Sequence, residues 1–101
     1  MLELRPTCEH CDKPLPPAST EAMICSYECT FCRDCVALLH DVCPNCGGGF
    51  VPRPIRPAQE WRGGVCLGRQ PASDKRVFKP VDLAAHDAFA ARLRELPPER
   101  R

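Results

Sequence analysis

No stretch of this chain stays apolar for long. The longest aliphatic run is Val36-Ala37-Leu38-Leu39, far short of the roughly 20 residues a membrane-crossing helix needs, so no membrane partner is expected. The opening Met1-Leu2-Glu3-Leu4-Arg5-Pro6 lacks a basic patch followed by an apolar stretch, so it is not a secretory signal and the chain reads as cytoplasmic. Twelve prolines and six glycines among 101 residues leave few uninterrupted segments for a large core. There is room for one small domain whose apolar packing needs help. No arrangement of nucleophile, base and orienting group is visible either, so the chain is expected not to be an enzyme and to take no small-molecule substrate.

What the chain has in abundance is cysteine. Eight of its nine cysteines fall between Cys8 and Cys46, in the order Cys8-x2-Cys11-x13-Cys25-x3-Cys29-x2-Cys32-x2-Cys35-x7-Cys43-x2-Cys46. A C-x2-C turn points two sulfurs at one ion, and two such turns complete a tetrahedral sulfur site. Eight thiolates therefore make two zinc sites, with Cys66 left over. A reducing compartment and the odd total make disulfides the weaker reading. Structural zinc supplies roughly 10–16 kcal/mol of apparent binding energy per site in small zinc peptides, enough to dominate the stability of so small a domain.

The expected organisation is a small α+β zinc-stabilised domain over residues 1–52, a Pro/Gly/Arg-rich linker or arm over 53–80, a C-terminal helix over 81–97 and a tail over 98–101. Leu2 and Leu4 alternate with charges and suggest a short edge strand. Val36-Ala37-Leu38-Leu39-His40-Asp41-Val42, with Asp34 as N-cap and apolar residues at 36, 39 and 42, reads as about two helical turns. After Cys46, three glycines permit the positive dihedrals that bring amides close to sulfur. Val51 to Pro57 reads as an extended polyproline-like arm. Asp82 is a plausible N-cap for an alanine-rich helix ending at Pro97-Pro98. Its stripe of Leu83, Phe89, Ala90, Leu93 and Leu96 suits docking on the zinc module.

Charge is segregated beneath a net of +1. Residues 1–50 carry −4 and the remainder +5; two ions each held by four thiolates would bring the first half near −8. Such a module is a poor phosphate binder. The arm keeps nucleic-acid binding alive as the alternative, with Arg53, Arg56, Arg62 and Arg69 as the candidate phosphate contacts. Trp61 could stack a base or anchor a protein, although packing on its own domain is expected. His10, His40 and His86 are expected to be solvated or hydrogen-bonded, since eight thiolates already fill two sites. Cys66 reads as a small idle thiol.

Cys29-Thr30-Phe31-Cys32-Arg33-Asp34-Cys35 in the middle and Cys43-Pro44-Asn45-Cys46 at the end give the cysteine series a resemblance to RING-type zinc fingers. Cys29 stands where many of them place histidine. The resemblance implies cross-brace ligation, with Cys8, Cys11, Cys32 and Cys35 on one zinc and Cys25, Cys29, Cys43 and Cys46 on the other. Sequential pairing, Cys8/Cys11/Cys25/Cys29 then Cys32/Cys35/Cys43/Cys46, is the rival. In RING ubiquitin ligases an apolar residue after the first ligand and often a basic one after the last grip the conjugating enzyme. Here those positions hold Glu9 and Gly47, so the ligands carry over and the ligase activity does not. Residues 1–57 are also similar to the small bacterial family called domain of unknown function 1272, which implies relatives without naming an activity. Cys29-x2-Cys32-x2-Cys35 with Cys43-Pro44 partly resembles a ferredoxin run, leaving an iron–sulfur electron carrier as a lesser alternative. The expected function is a non-catalytic protein-interaction module.

Overall fold

The computed structural model describes residues 1–101, and its regular elements are as short as the prolines and knuckles allow. Strand β1 (Ala22–Ile24) and strand β2 (Thr30–Cys32) form an antiparallel hairpin, with Ala22 opposite Cys32, Met23 opposite Phe31 and Ile24 opposite Thr30. Strand β3 (Val51–Pro52) pairs with the other side of β1, giving the order β2-β1-β3. Edge position suits Pro52, which has no N–H to donate to a further strand.

Helix α1 (Arg33–Leu38) leaves β2 without a loop. It begins earlier than the apolar spacing predicts: Cys32 occupies the N-cap and Asp34 lies in the first turn, where its charge complements the helix dipole. It also ends earlier. His40 and Asp41 adopt left-handed φ values of 59° and 57° and turn the chain back, keeping Leu39 and Val42 fully buried beyond the helix. The edge strand expected at Leu2–Leu4 is absent from the sheet. Its carbonyls are taken instead by the arm, since Arg56 Nη2 donates to Leu2 O at 2.8 Å and Ser73 N to Leu4 O at 3.0 Å.

The main apolar cluster comprises twelve residues, and six of them, Cys8, Cys25, Cys29, Cys32, Cys35 and Cys43, are cysteines. Leu15, Val36, Leu39, Phe31 and Phe50 fill the space between the sulfurs. The rings of Phe31 and Phe50 meet edge to face with centroids 5.4 Å apart, a favoured aromatic geometry. Core packing and sulfur chemistry are thus one structure, and neither can be removed without the other.

Residues beyond β3 wrap around this core. Helix α2 (Leu83–Leu93) is capped by Asp82, whose Oδ1 accepts from Ala85 N at 3.2 Å. Its most buried side chains are His86 and Ala90, while Phe89 is half exposed. Of the stripe read from sequence, Ala90 is buried and Leu83, Leu93 and Leu96 are half-buried; the departures are Phe89, half in solvent, and the buried His86, which the stripe did not include. His86 Nε2 bonds to Leu39 O at 2.9 Å, so an imidazole occupies the docking face and adds a second partner to a carbonyl just past α1 that also accepts from Val42 N at 3.1 Å. The radius of gyration is 14.6 Å, above the ~13 Å of a compact chain this long, as expected for a small core with an extended wrapping.

Candidate metal centre

Two knuckles share one backbone pattern. In the first, Asp12 N donates to Cys8 O at 3.0 Å and Cys8 N to Lys13 O at 2.9 Å; in the second, Gly47 N donates to Cys43 O and Cys43 N to Gly48 O, both at 2.8 Å. The residue after each second cysteine takes a positive φ, 66° at Asp12 and 79° at Gly47. The glycines after Cys46 signalled this at Gly47; Asp12, one of the few other residue types that tolerates the conformation, was silent in sequence. A third turn in the β1–β2 hairpin, with Glu28 N donating to Cys25 O at 3.0 Å and φ of 68° at Glu28, presents Cys25 and Cys29.

These turns gather sulfurs from distant positions. The Sγ atoms of Cys8, Cys11, Cys32 and Cys35 all lie within 4.8 Å of one another, as do those of Cys25, Cys43 and Cys46. The groups interleave along the chain and differ from the sequential grouping. Cys29 borders the second group, where Cys25 N donates to its carbonyl at 3.3 Å. Its sulfur stands outside that 4.8 Å set and accepts instead from Asn45 Nδ2 at 3.4 Å. Cys66 is buried away from both groups, and all nine cysteines are free thiols.

The donor set fits a zinc ion. Zn–S bonds of about 2.3 Å in a tetrahedron place sulfurs about 3.8 Å apart, and Cys11 Sγ stands 3.8 Å from Cys32 Sγ. Amides are also aimed at sulfur, as thiolate ligands require: Tyr27 N donates to Cys25 Sγ at 3.3 Å and Gly48 N to Cys46 Sγ at 3.4 Å. Four of these thiols resist ionisation. Burial, then Cys32 and Cys8 close by, pushes Cys35 far up, and burial is also the main cause raising Cys43, Cys32 and Cys29. At Cys11 desolvation is again the largest influence and opposes ionisation. There the Lys13 amide and contacts with Cys8, Cys35 and Cys32 outweigh it, and the pKa falls. A dication among these sulfurs reverses the balance by favouring thiolate at every ligand.

Other residues singled out in the sequence serve the frame. Glu9 is turned inward, its Oε2 accepting from Thr30 N at 2.5 Å and Arg5 Nη1 at 2.9 Å. His10 Nδ1 accepts from Val81 N at 2.9 Å, and His40 Nε2 lies 3.0 Å from Asp87 Oδ1 in the turn after α1. Arg53, one of the four candidate phosphate contacts, is only 4% exposed. Its guanidinium donates to the carbonyls of Arg5, Leu15 and Pro16 at 2.8, 3.2 and 3.0 Å. Arg56 is likewise bound, to Gln70 O at 2.6 Å as well as Leu2 O. Arg62 is exposed, and exposed Arg69 pairs with Glu60 at 2.9 Å. The four arginines therefore do not form one basic surface. Trp61 does not pack on the domain as expected; it is 75% exposed. Sequence reasoning missed Asn45 and Glu9, whose roles depend on contacts 16 and 21 residues away.

A cysteine-rich α+β chain with two sulfur clusters able to hold metal is thus defined by its geometry. The chain belongs to the family described as protein of unknown function (DUF1272), whose model matches residues 1–56. It is also 52% identical over 89 residues to an uncharacterized protein of Rhizobium meliloti (strain 1021), a match covering 87% of this chain and 99% of that one. No solved structure matches it. No helix is long and apolar enough to cross a membrane.

Proposed function

We propose that this chain is a two-zinc, cross-braced structural module that serves in the cytoplasm as a platform for another protein and catalyses no reaction itself. Cys8, Cys11, Cys32 and Cys35 hold one ion; Cys25, Cys43 and Cys46 hold the second, with Cys29 swinging from Asn45 to complete it. The observation that carries this reading is the interleaving of the two sulfur groups. Crossed ligation ties residues 8–46 into one body. Four thiolates fill a tetrahedral shell, and a filled shell has no position for substrate water. The positions that grip a conjugating enzyme in RING ligases offer no such surface here: Glu9 faces inward, and Gly47 lies beneath Leu93 and Phe89.

The platform role draws on exposed aromatics, Trp61 and Tyr27, the latter 73% exposed beside Cys46. Trp61 sits on a loop fixed by its neighbours. Glu60 Oε1 accepts from Gly64 N at 3.0 Å, and the Gln70 side chain bonds both Cys66 N and Gly64 O. A large apolar side chain held in water on an ordered loop suits an interface anchor. Nucleic acid is the weaker partner, since Arg53 and Arg56 are already spent on carbonyls.

Native mass spectrometry of the full chain tests the metal reading: two zinc ions in colourless protein are expected, whereas brown protein with acid-labile sulfide overturns it for an iron–sulfur cluster. In-cell crosslinking tests the platform reading. One stoichiometric protein partner, lost on Trp61→Ala or Tyr27→Ala with both ions retained, is the expected result. A salt-sensitive nucleic-acid adduct in its place would favour the alternative.

A further inference from the structure

The two sulfur groups are not equivalent. In the first, all four sulfurs already stand within 4.8 Å of each other, and none of the depressions on the molecule is lined by Cys8, Cys11, Cys32 or Cys35. In the second, three sulfurs stand that close while the fourth, on Cys29, lies beside Cys25 but outside the set and accepts from the Asn45 side chain at 3.4 Å. Each group has one exposed cysteine, Cys11 in the first and Cys46 in the second, but only beside Cys46 does a depression open, about 470 Å³ in volume and lined by Tyr27, Asn45 and Cys46. Asn45 thus touches both the Cys29 sulfur and the opening.

We infer that the second group is an exchange site, in which a small external thiolate entering beside Tyr27 and Cys46 can replace Cys29 on the ion while Asn45 holds the displaced sulfur. This rests on the two-zinc reading. In the step, the bond from zinc to Cys29 sulfur breaks as a bond from zinc to the incoming sulfur forms. Zinc stays divalent and nothing is oxidised or reduced; the external thiol sheds its proton to solvent on becoming the entering thiolate, and the displaced Cys29 thiolate takes one proton up from solvent. Three further exchanges of the same kind, at Cys25, Cys43 and Cys46, free the ion to a stronger thiol or chelator, each displaced sulfur taking up one proton as each external thiol sheds one, while the first ion holds the fold. The second site thereby acts as a zinc donor or acceptor toward soft, sulfur-bearing ligands.

The full chain loaded with zinc is mixed with an excess of a chromophoric chelator and increasing 2-mercaptoethanol, and zinc release is followed with time. Two phases of one ion each are expected, separated at least about tenfold, with only the faster one accelerated by the thiol. Asn45→Ala removes the holder of the displaced sulfur and should slow the fast phase about fivefold, the factor for one lost hydrogen bond. In parallel, the amide resonances of Tyr27 and Gly48, which point at Cys25 and Cys46, should shift during the fast phase while that of Lys13 does not. Release of both ions with one rate constant, a fast phase indifferent to the thiol, or early movement of Lys13 would overturn the inference and leave the two-zinc reading standing. Fewer than two zinc ions before the chelator is added would overturn that reading itself, and this inference with it.

Discussion

Glu9 and Arg53 show how a charged side chain can be structural in a domain with so little apolar material. Each is nearly sealed from solvent, and each spends its charge on backbone: Glu9 on the Thr30 amide beside Arg5, Arg53 on three carbonyls of the N-terminal segment. Glu9→Ala leaves the Thr30 amide unpaired inside the protein and is expected to cost about 1–3 kcal/mol, read as a lowered urea midpoint in zinc-loaded protein. Arg53→Ala should fall in the same range by stranding buried carbonyls, while Arg62→Ala, on the exposed loop, should stay within about 0.5 kcal/mol of the parent. Equal effects of the two arginine substitutions would contradict the clamp role. These assignments were hidden in the sequence, because an arginine in a Pro-Arg-Pro arm carries no mark of whether it faces water or carbonyls. Cysteine spacing, by contrast, is local: a C-x2-C turn declares its geometry within four residues.

At the scale of elements, the C-terminal helix was legible from its cap and alanines, since Asp82 does cap it. The short helix was displaced because its start is set by the preceding strand and its end by two left-handed residues, which outweigh apolar spacing. Its successor, the second knuckle, depends on close approach. A Cβ at Gly47 would stand 3.3 Å from Leu93 Cδ1 and 3.5 Å from Phe89 Cζ, on a residue with φ of 79°. Gly47→Val is therefore expected to loosen α2 and strain the Cys43–Cys46 turn together, costing about 1–3 kcal/mol. Faster amide exchange along 83–93 with slower change in β1–β2 would be the signature. Unaltered exchange in the helix would show that its docking does not depend on the knuckle.

For the molecule as a whole, a metal bound at these clusters would compete with protons for the same sulfurs. Cys29, Cys32, Cys35 and Cys43 have pKa values raised above the ordinary 9.0 by burial in the metal-free fold. A group with a raised folded pKa contributes stability that is present below its unfolded value and lost as pH rises through the folded one. The metal-free fold should therefore weaken from about pH 9 upward. The loaded protein should have the opposite slope, because every ligand must shed its proton to bind zinc. Adding zinc to metal-free protein at pH 7 in weak buffer should release protons, with affinity falling as pH is lowered; a loading that releases none would argue that the sulfurs are not the ligands. Single Cys→Ser changes at the eight clustered positions should lower zinc content, while Cys66→Ser should leave it unchanged, as atomic absorption can show.

Interleaving also sets a timetable for the chain as it is synthesised. Sequential sites would let a nascent peptide close its first sulfur cage once Cys29 had emerged from the ribosome. On the crossed pairing proposed above, Cys8 and Cys11 must wait for Cys35, and Cys25 must wait for Cys46. The two cages become complete only eleven residues apart, so the emerging N-terminal half meets its ions late and in quick succession. Until then its thiols stay unpaired, and encounter with an oxidant would trap wrong partners. Folding of such a chain would be timed by the delivery of metal once its N-terminal half has emerged.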